Sequence, residues 1–145
     1  MLNEQEILST IEMVKNENLD VRAVTLGLNL FDCISDDLER FKSNITRKIE
    51  THAGYLVETC NAVGEKYGIE VVNKRISISP VGLVAGVFDA DGMVEIAHTL
   101  NRAAKEVNID FIGGFSAFVE KGMAKGDRAL IQAIPRALSE TERVC

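Results

Sequence analysis

The chain has 145 residues, 46% of them hydrophobic and 26% charged, enough to bury a core without disulfides or metal. Its formal charge of −6, with no block of Lys and Arg, argues against nucleic acid or an anionic membrane as partner. No stretch nears the roughly 18 apolar residues of a membrane span, the start lacks a signal pattern, and three scattered cysteines (Cys33, Cys60, Cys145) give no disulfide framework, so a cytoplasmic protein is expected.

Asn3 followed by Glu6 reads as a capping box ahead of Ile7, Ile11 and Val14, which predicts a first helix over 4–16. A turn over 16–20 leads to a first strand over 21–30. There Val24, Leu26, Leu28 and Leu30 share one face, and Thr25, Gly27 and Asn29 the other. Asp36 with Glu39 opens the strongest helical pattern in the chain. Leu38, Phe41, Ile45, Ile49, His52, Leu56, Cys60 and Val63 form one stripe over seven turns, with Gly68 placed to end it. Gly54 is the weak point of this long helix, costing about 1 kcal/mol against alanine. His52 reads as a semi-buried histidine on or beside the stripe, and Cys60 as core.

A second strand is predicted over 70–79, stopped by Pro80. Asn73, Arg75, Ser77 and Ser79 alternate there with Val72, Lys74, Ile76 and Ile78. The run from Val81 to Phe88 fits a buried helical turn or a short strand. Asp91 precedes a third clear helix, with Met93, Ile96, Ala97, Leu100, Ala104 and Val107 on one face. A third strand follows over 109–117, then a short apolar turn. Gly126 and Asp127 start a last helix to about Glu140, interrupted by Pro135. Arg143, Val144 and Cys145 read as the first residues of a further element, as in a chain that has been cut. Strands alternating with helices make βαβ units, hence an α/β fold with parallel pairing in one domain over 1–145.

The strand faces hold the main clue. A parallel sheet with helices on both sides shows near-continuous aliphatic strands, whereas here one face is aliphatic and the other small, polar and cationic at Arg75. Such a face either lines a cavity or is a solvated or interdomain surface. Ligands in parallel α/β sheets sit beyond the carboxyl ends of the strands. The candidate binding residues are therefore Asn29, Asp32 and Cys33 after strand one, and Asn73, Arg75, Ser77 and Ser79 on strand two. Gly113, Gly114 and Ser116 on strand three complete the set. Arg75 can clamp a carboxylate or phosphate through two parallel hydrogen bonds, or pair with an acidic side chain of the chain itself. Gly113-Gly114 lets the backbone approach a ligand or a neighbouring strand, or only relieves packing under Phe111 and Phe115. Cys33 is either a thiol activated before a helix start or an inert buried cysteine.

Named motifs mostly fail. The run Gly114-Phe115-Ser116 begins like a hydrolase nucleophile elbow, but Phe118 stands where the second glycine belongs and no histidine follows. Neither a dinucleotide glycine fingerprint nor a phosphate-loop lysine occurs, so no cofactor is named. His52 and His98 have no neighbouring ligands at metal spacing, and no metal site is expected. The substrate class that remains is a small polar or anionic metabolite. The competing reading is a regulatory or interaction module that docks a partner, or another copy of the chain, on its polar sheet face.

Five runs carry a family resemblance: Glu-Asn-Leu-Asp-Val-Arg-Ala-Val-Thr-Leu-Gly, Val-Asn-Lys-Arg-Ile-Ser-Ile-Ser-Pro, Asp-Phe-Ile-Gly-Gly-Phe-Ser-Ala, Lys-Gly-Asp and Ile-Pro-Arg-Ala-Leu. Together they span nearly the whole chain, and it resembles the amino-terminal part of uncharacterised protein family 0210. That resemblance implies a fold similar to pyruvate formate-lyase and anaerobic ribonucleotide reductase, a ten-stranded α/β barrel of two parallel five-stranded halves. Members about three times longer would complete the sheet, turning the polar face into the barrel lumen. The resemblance brings no activity, and no segment here matches the radical-glycine loop of those enzymes. A fourth strand beginning at Cys145 would, because the strands are parallel, set that thiol at the opposite end of the sheet from Cys33.

Overall fold

Strict alternation of aliphatic and polar residues produces the sheet. The computed structural model describes residues 4–16 and 21–145. The Asn3 cap and the turn expected after Asn16 lie outside the described residues. Strands β1 (Val21–Leu28), β2 (Val71–Ile78) and β3 (Phe111–Gly113) lie side by side in the order β1-β2-β3, every pair parallel, as expected. Val144 forms a single parallel bridge to Ile112, which places Arg143–Cys145 beside β3. Strand order therefore follows chain order.

Among the described residues, six α-helices accompany the sheet: α1 (Glu4–Asn16), α2 (Leu38–Ala53), α3 (Leu56–Tyr67), α4 (Val81–Val84), α5 (Ala90–Glu106) and α6 (Lys125–Glu140). Leu28, Leu30, Ile76, Ile78, Ile112 and Val144 turn to one side of the sheet and are buried. There they join Phe41, Ile45 and Ile49 of α2, Met93, Ile96 and Leu100 of α5, and Leu130, Ala133 and Ala137 of α6 in one core. Full burial of each large aliphatic side chain is worth about 1.5–3 kcal/mol, which outweighs any single polar contact in the molecule. Asp37 and Asp89 cap α2 and α5, accepting the N–H groups of Arg40 at 2.7 Å and Gly92 at 2.9 Å. The caps thus sit one residue after Asp36 and two before Asp91, the positions the sequence pattern suggests.

Four expectations need correction. The long helix over Leu38 to Tyr67 is two helices: Gly54 still donates to the Glu50 carbonyl at 3.1 Å, but Tyr55 departs from helical geometry, with φ −104° and ψ 1°. The apolar stripe survives this bend for Cys60, but His52 and Val63 are exposed. Gly68, with φ +67°, ends α3 as expected. Helix α6 runs unbroken through Pro135. The carbonyl deprived of its donor belongs to Ile131, and both residues are exposed, so water can replace the lost bond. Strand β3 has three residues rather than nine. Beyond it the chain turns to the α4 segment, where the carbonyls of Gly114 and Ser116 accept the N–H groups of Val81 (3.0 Å) and Gly82 (3.1 Å). Strand β1 likewise stops at Leu28, and Phe31–Cys33 forms a single 3-10 turn. The run after Pro80 resolves as the helical turn α4.

Candidate functional site

Register decides which candidates meet. In a parallel sheet, residues opposite one another point the same way, and Thr25, Arg75 and Phe111 are opposite one another across β1, β2 and β3. The next row on this face is Gly27, Ser77 and Gly113, and Cys145 extends it because Val144 lies opposite Ile112. Among the described residues this face is left open: Thr25, Arg75, Ser77 and Cys145 are exposed, and Phe111 is 40% exposed. An open depression of about 440 Å³ lies over it, lined by Thr25, Arg75, Ser77, Phe111, Gly113 and Cys145.

Arg75 dominates this depression electrically. Its guanidinium carbon sits 5.8 Å from the centre of the Phe111 ring, within reach of a cation–π contact. Among the described residues no carboxylate pairs with it, whereas the ion pairs found there lie within or between helices, join α5 to the segment after α6, anchor α2 to the loop after β1, or link the adjacent Lys121 and Glu120. The hydroxyl of Ser77, one row further on, likewise has no hydrogen-bond partner among the described residues. Asn73 is committed differently, its Nδ2 donating to the carbonyl of Arg22 at 3.2 Å.

The remaining candidates separate from this group. Asn29 folds back on its own loop, its Oδ1 accepting the N–H of Phe31 at 2.8 Å. Ser79 Oγ accepts the N–H of Leu30 at 3.0 Å and so joins β2 to the end of β1. Ser116 is exposed beyond β3. Gly114 has φ +120°, and a Cβ there would come within 2.5 Å of the Ile78 carbonyl oxygen. Close approach to the neighbouring strand explains that glycine fully. Asp32 and Cys33 line a smaller depression of about 200 Å³ against α2, with Asn44, Arg47, Lys48 and Thr51. The Lys48 ammonium donates to Asp32 and holds that carboxyl below its ordinary range. Burial, followed by the charge of Asp32, pushes the Cys33 thiol up, so it stays protonated and a poor nucleophile.

Cys145 does not lie at the far end of the sheet from Cys33. Its register with Gly113, Ser77 and Gly27 puts it near the carboxyl ends of the strands, on the bare side, while Cys33 is buried under helices. Sequence reasoning missed two members of the site, Phe111 and Cys145. The signal for Phe111 was its alternation with buried Ile112; for Cys145 no signal existed before the pairing of Val144 was known. Among the described residues, no group of three or more His, Cys, Asp or Glu is placed to hold a metal ion. Among them also, no helix is long and apolar enough to cross a membrane.

A family model described as Uncharacterised ACR (DUF711) matches residues 12–145. The chain is 59% identical over 145 residues to a UPF0210 protein of Desulfovibrio desulfuricans, an alignment covering 100% of this chain and 32% of the relative. It is 50% identical over 153 residues to a UPF0210 protein of Methanocaldococcus jannaschii, covering 100% and 33%. A UPF0210 protein of Actinobacillus succinogenes is 49% identical over 144 residues, covering 99% and 32%. The chain spans about a third of the length of the curated relatives it matches.

Proposed function

The chain belongs to the uncharacterised family that the DUF711 model and the UPF0210 relatives define, and from that premise we propose that its bare sheet face binds a small polar or anionic metabolite. Arg75 carries the reading: an exposed guanidinium on an uncovered sheet face, with no carboxylate of the described residues to neutralise it. A planar fork of donors suits a carboxylate or phosphate taken in bidentate fashion. Thr25 lies opposite Arg75 on β1 and Ser77 one row further along β2, and both offer hydroxyls to a bound anion.

The face becomes a lumen wall in a longer molecule. Strand order following the chain, parallel pairing and the packing of α2, α5 and α6 on one side support a sheet that continues and closes into a barrel. In a barrel resembling that of pyruvate formate-lyase, Arg75, Ser77 and Thr25 point inward. The three cysteines, all free, support a reducing cytoplasm as the setting. Binding is the activity proposed, and no reaction is assigned.

A thermal-shift screen of small carboxylates and phosphates on wild type, Arg75→Ala and Arg75→Lys tests this. Wild type should be stabilised by at least one anion, Arg75→Lys weakly and Arg75→Ala not at all, since lysine keeps the charge but loses the fork. Absence of any anion-dependent shift in wild type removes the reading. The face would then serve to dock a partner, a role favoured by the exposed Phe111 ring beside Arg75.

A further inference from the structure

The loops beyond the carboxyl ends of β2 and β3 carry apolar side chains that the core does not use. Leu83 and Val87, in and after α4, are 56% and 58% exposed. Phe118, in the loop after β3, is 67% exposed, and Val119 and Met123 of the same loop are open as well. Leu83 and Phe118 line one depression of about 330 Å³, together with Gly82, Gly86 and Gly126. A lone exposed leucine needs no explanation, but apolar side chains gathered in this way mark a surface that meets another.

The frame beneath them is pinned. Val81 and Gly82 donate their N–H groups to the carbonyls of Gly114 and Ser116, tying α4 to the loop after β3. A Cβ built on Gly126 would lie 2.7 Å from the Gly82 carbonyl oxygen, so α6 starts in direct backbone contact with α4. Asp127, only 8% exposed, accepts the Ala124 N–H at 2.8 Å and holds the first turn of α6 in place. An apolar surface on a backbone fixed like this loses little conformational freedom when a partner covers it.

We propose that the part of the family's longer chain that lies outside the matched region packs on this patch, through an apolar face of its own. The match takes up 32% of the Desulfovibrio desulfuricans relative and 33% of the Methanocaldococcus jannaschii one, so most of each lies outside it. The matched region reaches Cys145, whose carbonyl oxygen accepts the Phe115 N–H at 3.3 Å, three residues before Phe118. In the relatives the residues that follow therefore start beside the patch and need no long excursion to cover it. Leu83, Val87 and Phe118 are the seat. The patch shares no lining residue with the Arg75 depression, so the proposal stands apart from the anion reading.

The test is thiol labelling of Leu83→Cys, Phe118→Cys and Tyr55→Cys, the last at a 77% exposed position between α2 and α3. The same substitutions are made at the aligned positions of the full-length Desulfovibrio desulfuricans protein. Reaction with a maleimide is followed peptide by peptide in a mass spectrometer, so native thiols are counted separately. In this chain all three positions should label rapidly, at a rate independent of protein concentration. In the full-length relative the positions of Leu83 and Phe118 should label about a hundredfold more slowly, because reaction waits for the cover to open, while that of Tyr55 stays fast. Rapid labelling at all three positions of the relative overturns the proposal, and so does equal protection of all three. Protection of Leu83→Cys and Phe118→Cys in this chain alone, rising with its concentration, would make a second copy the occupant and overturn it too.

Discussion

The two faces of this sheet come from the same strands and behave oppositely. On one, Ile76, Ile78, Leu28 and Ile112 disappear under α2, α5 and α6. On the other, one residue along each strand, Thr25, Arg75, Ser77 and Phe111 stay exposed. Charge follows the same division. The helical layer binds its charges to one another, as in Lys42 with Glu95 and Arg136 with Asp91 and Glu140, whereas Arg75 has no acidic partner among the described residues. The apolar core thus lies on one side of a single layer of backbone, and a cation without an acidic partner among the described residues on the other.

The sharpest way to break this contrast is to cut side chains on adjacent residues of β2. Ile76→Ala removes a side chain that is 1% exposed and should cost about 2–5 kcal/mol in urea unfolding. Arg75→Ala, its neighbour, should stay within about 0.5 kcal/mol, because an exposed cation without an ion pair contributes little to folding. Similar losses at both positions would mean that the bare face is structural after all. The glycine pair gives a second contrast. Gly114→Ala must force the Ile78 backbone away and adopt a strained φ, costing about 1–3 kcal/mol. Gly113→Ala should be neutral or stabilising by about 0.4–1 kcal/mol, through a more restricted unfolded chain. A smaller effect, about 1 kcal/mol, is expected when Asp89→Ala removes the α5 cap, leaving the bare face untouched and its anion response unchanged.

Period-two alternation made the two faces legible without coordinates. Arg75 and Ser77 had to lie opposite Ile76 and Ile78 in any strand. Parallel order was legible too, from helices intervening between strands. What sequence could not settle was where local patterns yield to packing. The stripe from Leu38 to Cys60 keeps helical phase across Gly54 and Tyr55, so a bend of two residues left no trace in the spacing. The third strand ends early because Gly114 and Ser116 give their carbonyls to the α4 segment, a partner some 30 residues away. Of the candidate residues at the strand ends, Asn29 and Ser79 serve the backbone instead: Asn29 accepts from its own loop, and Ser79 ties β2 to the end of β1. A polar side chain at a strand end is as readily a structural acceptor as a ligand contact, and only the hydrogen-bond partner tells them apart.

The thiols sharpen the comparison at little effort. Cys145 is exposed on the bare side, whereas Cys33 and Cys60 are buried in the helical layer. An aromatic disulfide reagent should therefore release one equivalent quickly from the native chain and two more only after unfolding. Rapid reaction of two or three thiols would show that the covered side opens readily.

The smallest expected effect is on acid stability, and it too distinguishes the sides. Glu140 is held below its ordinary value of 4.5 first by its hydrogen bond from His98 and then by that from Arg136. Glu142 is lowered by Lys105, and Asp32 by Lys48 from 3.8. A carboxylate whose folded value is depressed contributes stability that is complete above the unfolded value and is lost as pH falls through the folded one. All three are exposed, so solvent screens each contribution and the loss is shallow, setting in only as pH drops below the ordinary carboxylate values. Thermal melts from about pH 6 to about pH 3 should therefore decline gently, and Glu140→Gln should flatten the decline because the α5–α6 link it makes no longer titrates. Arg75→Ala should leave the slope as it is in wild type, having no carboxylate to release. If Arg75→Ala flattened the acid slope as much as Glu140→Gln does, Arg75 would have an acidic partner in solution. The bare face would then be as self-satisfied as the covered one, and the guanidinium would have nothing left to offer a ligand.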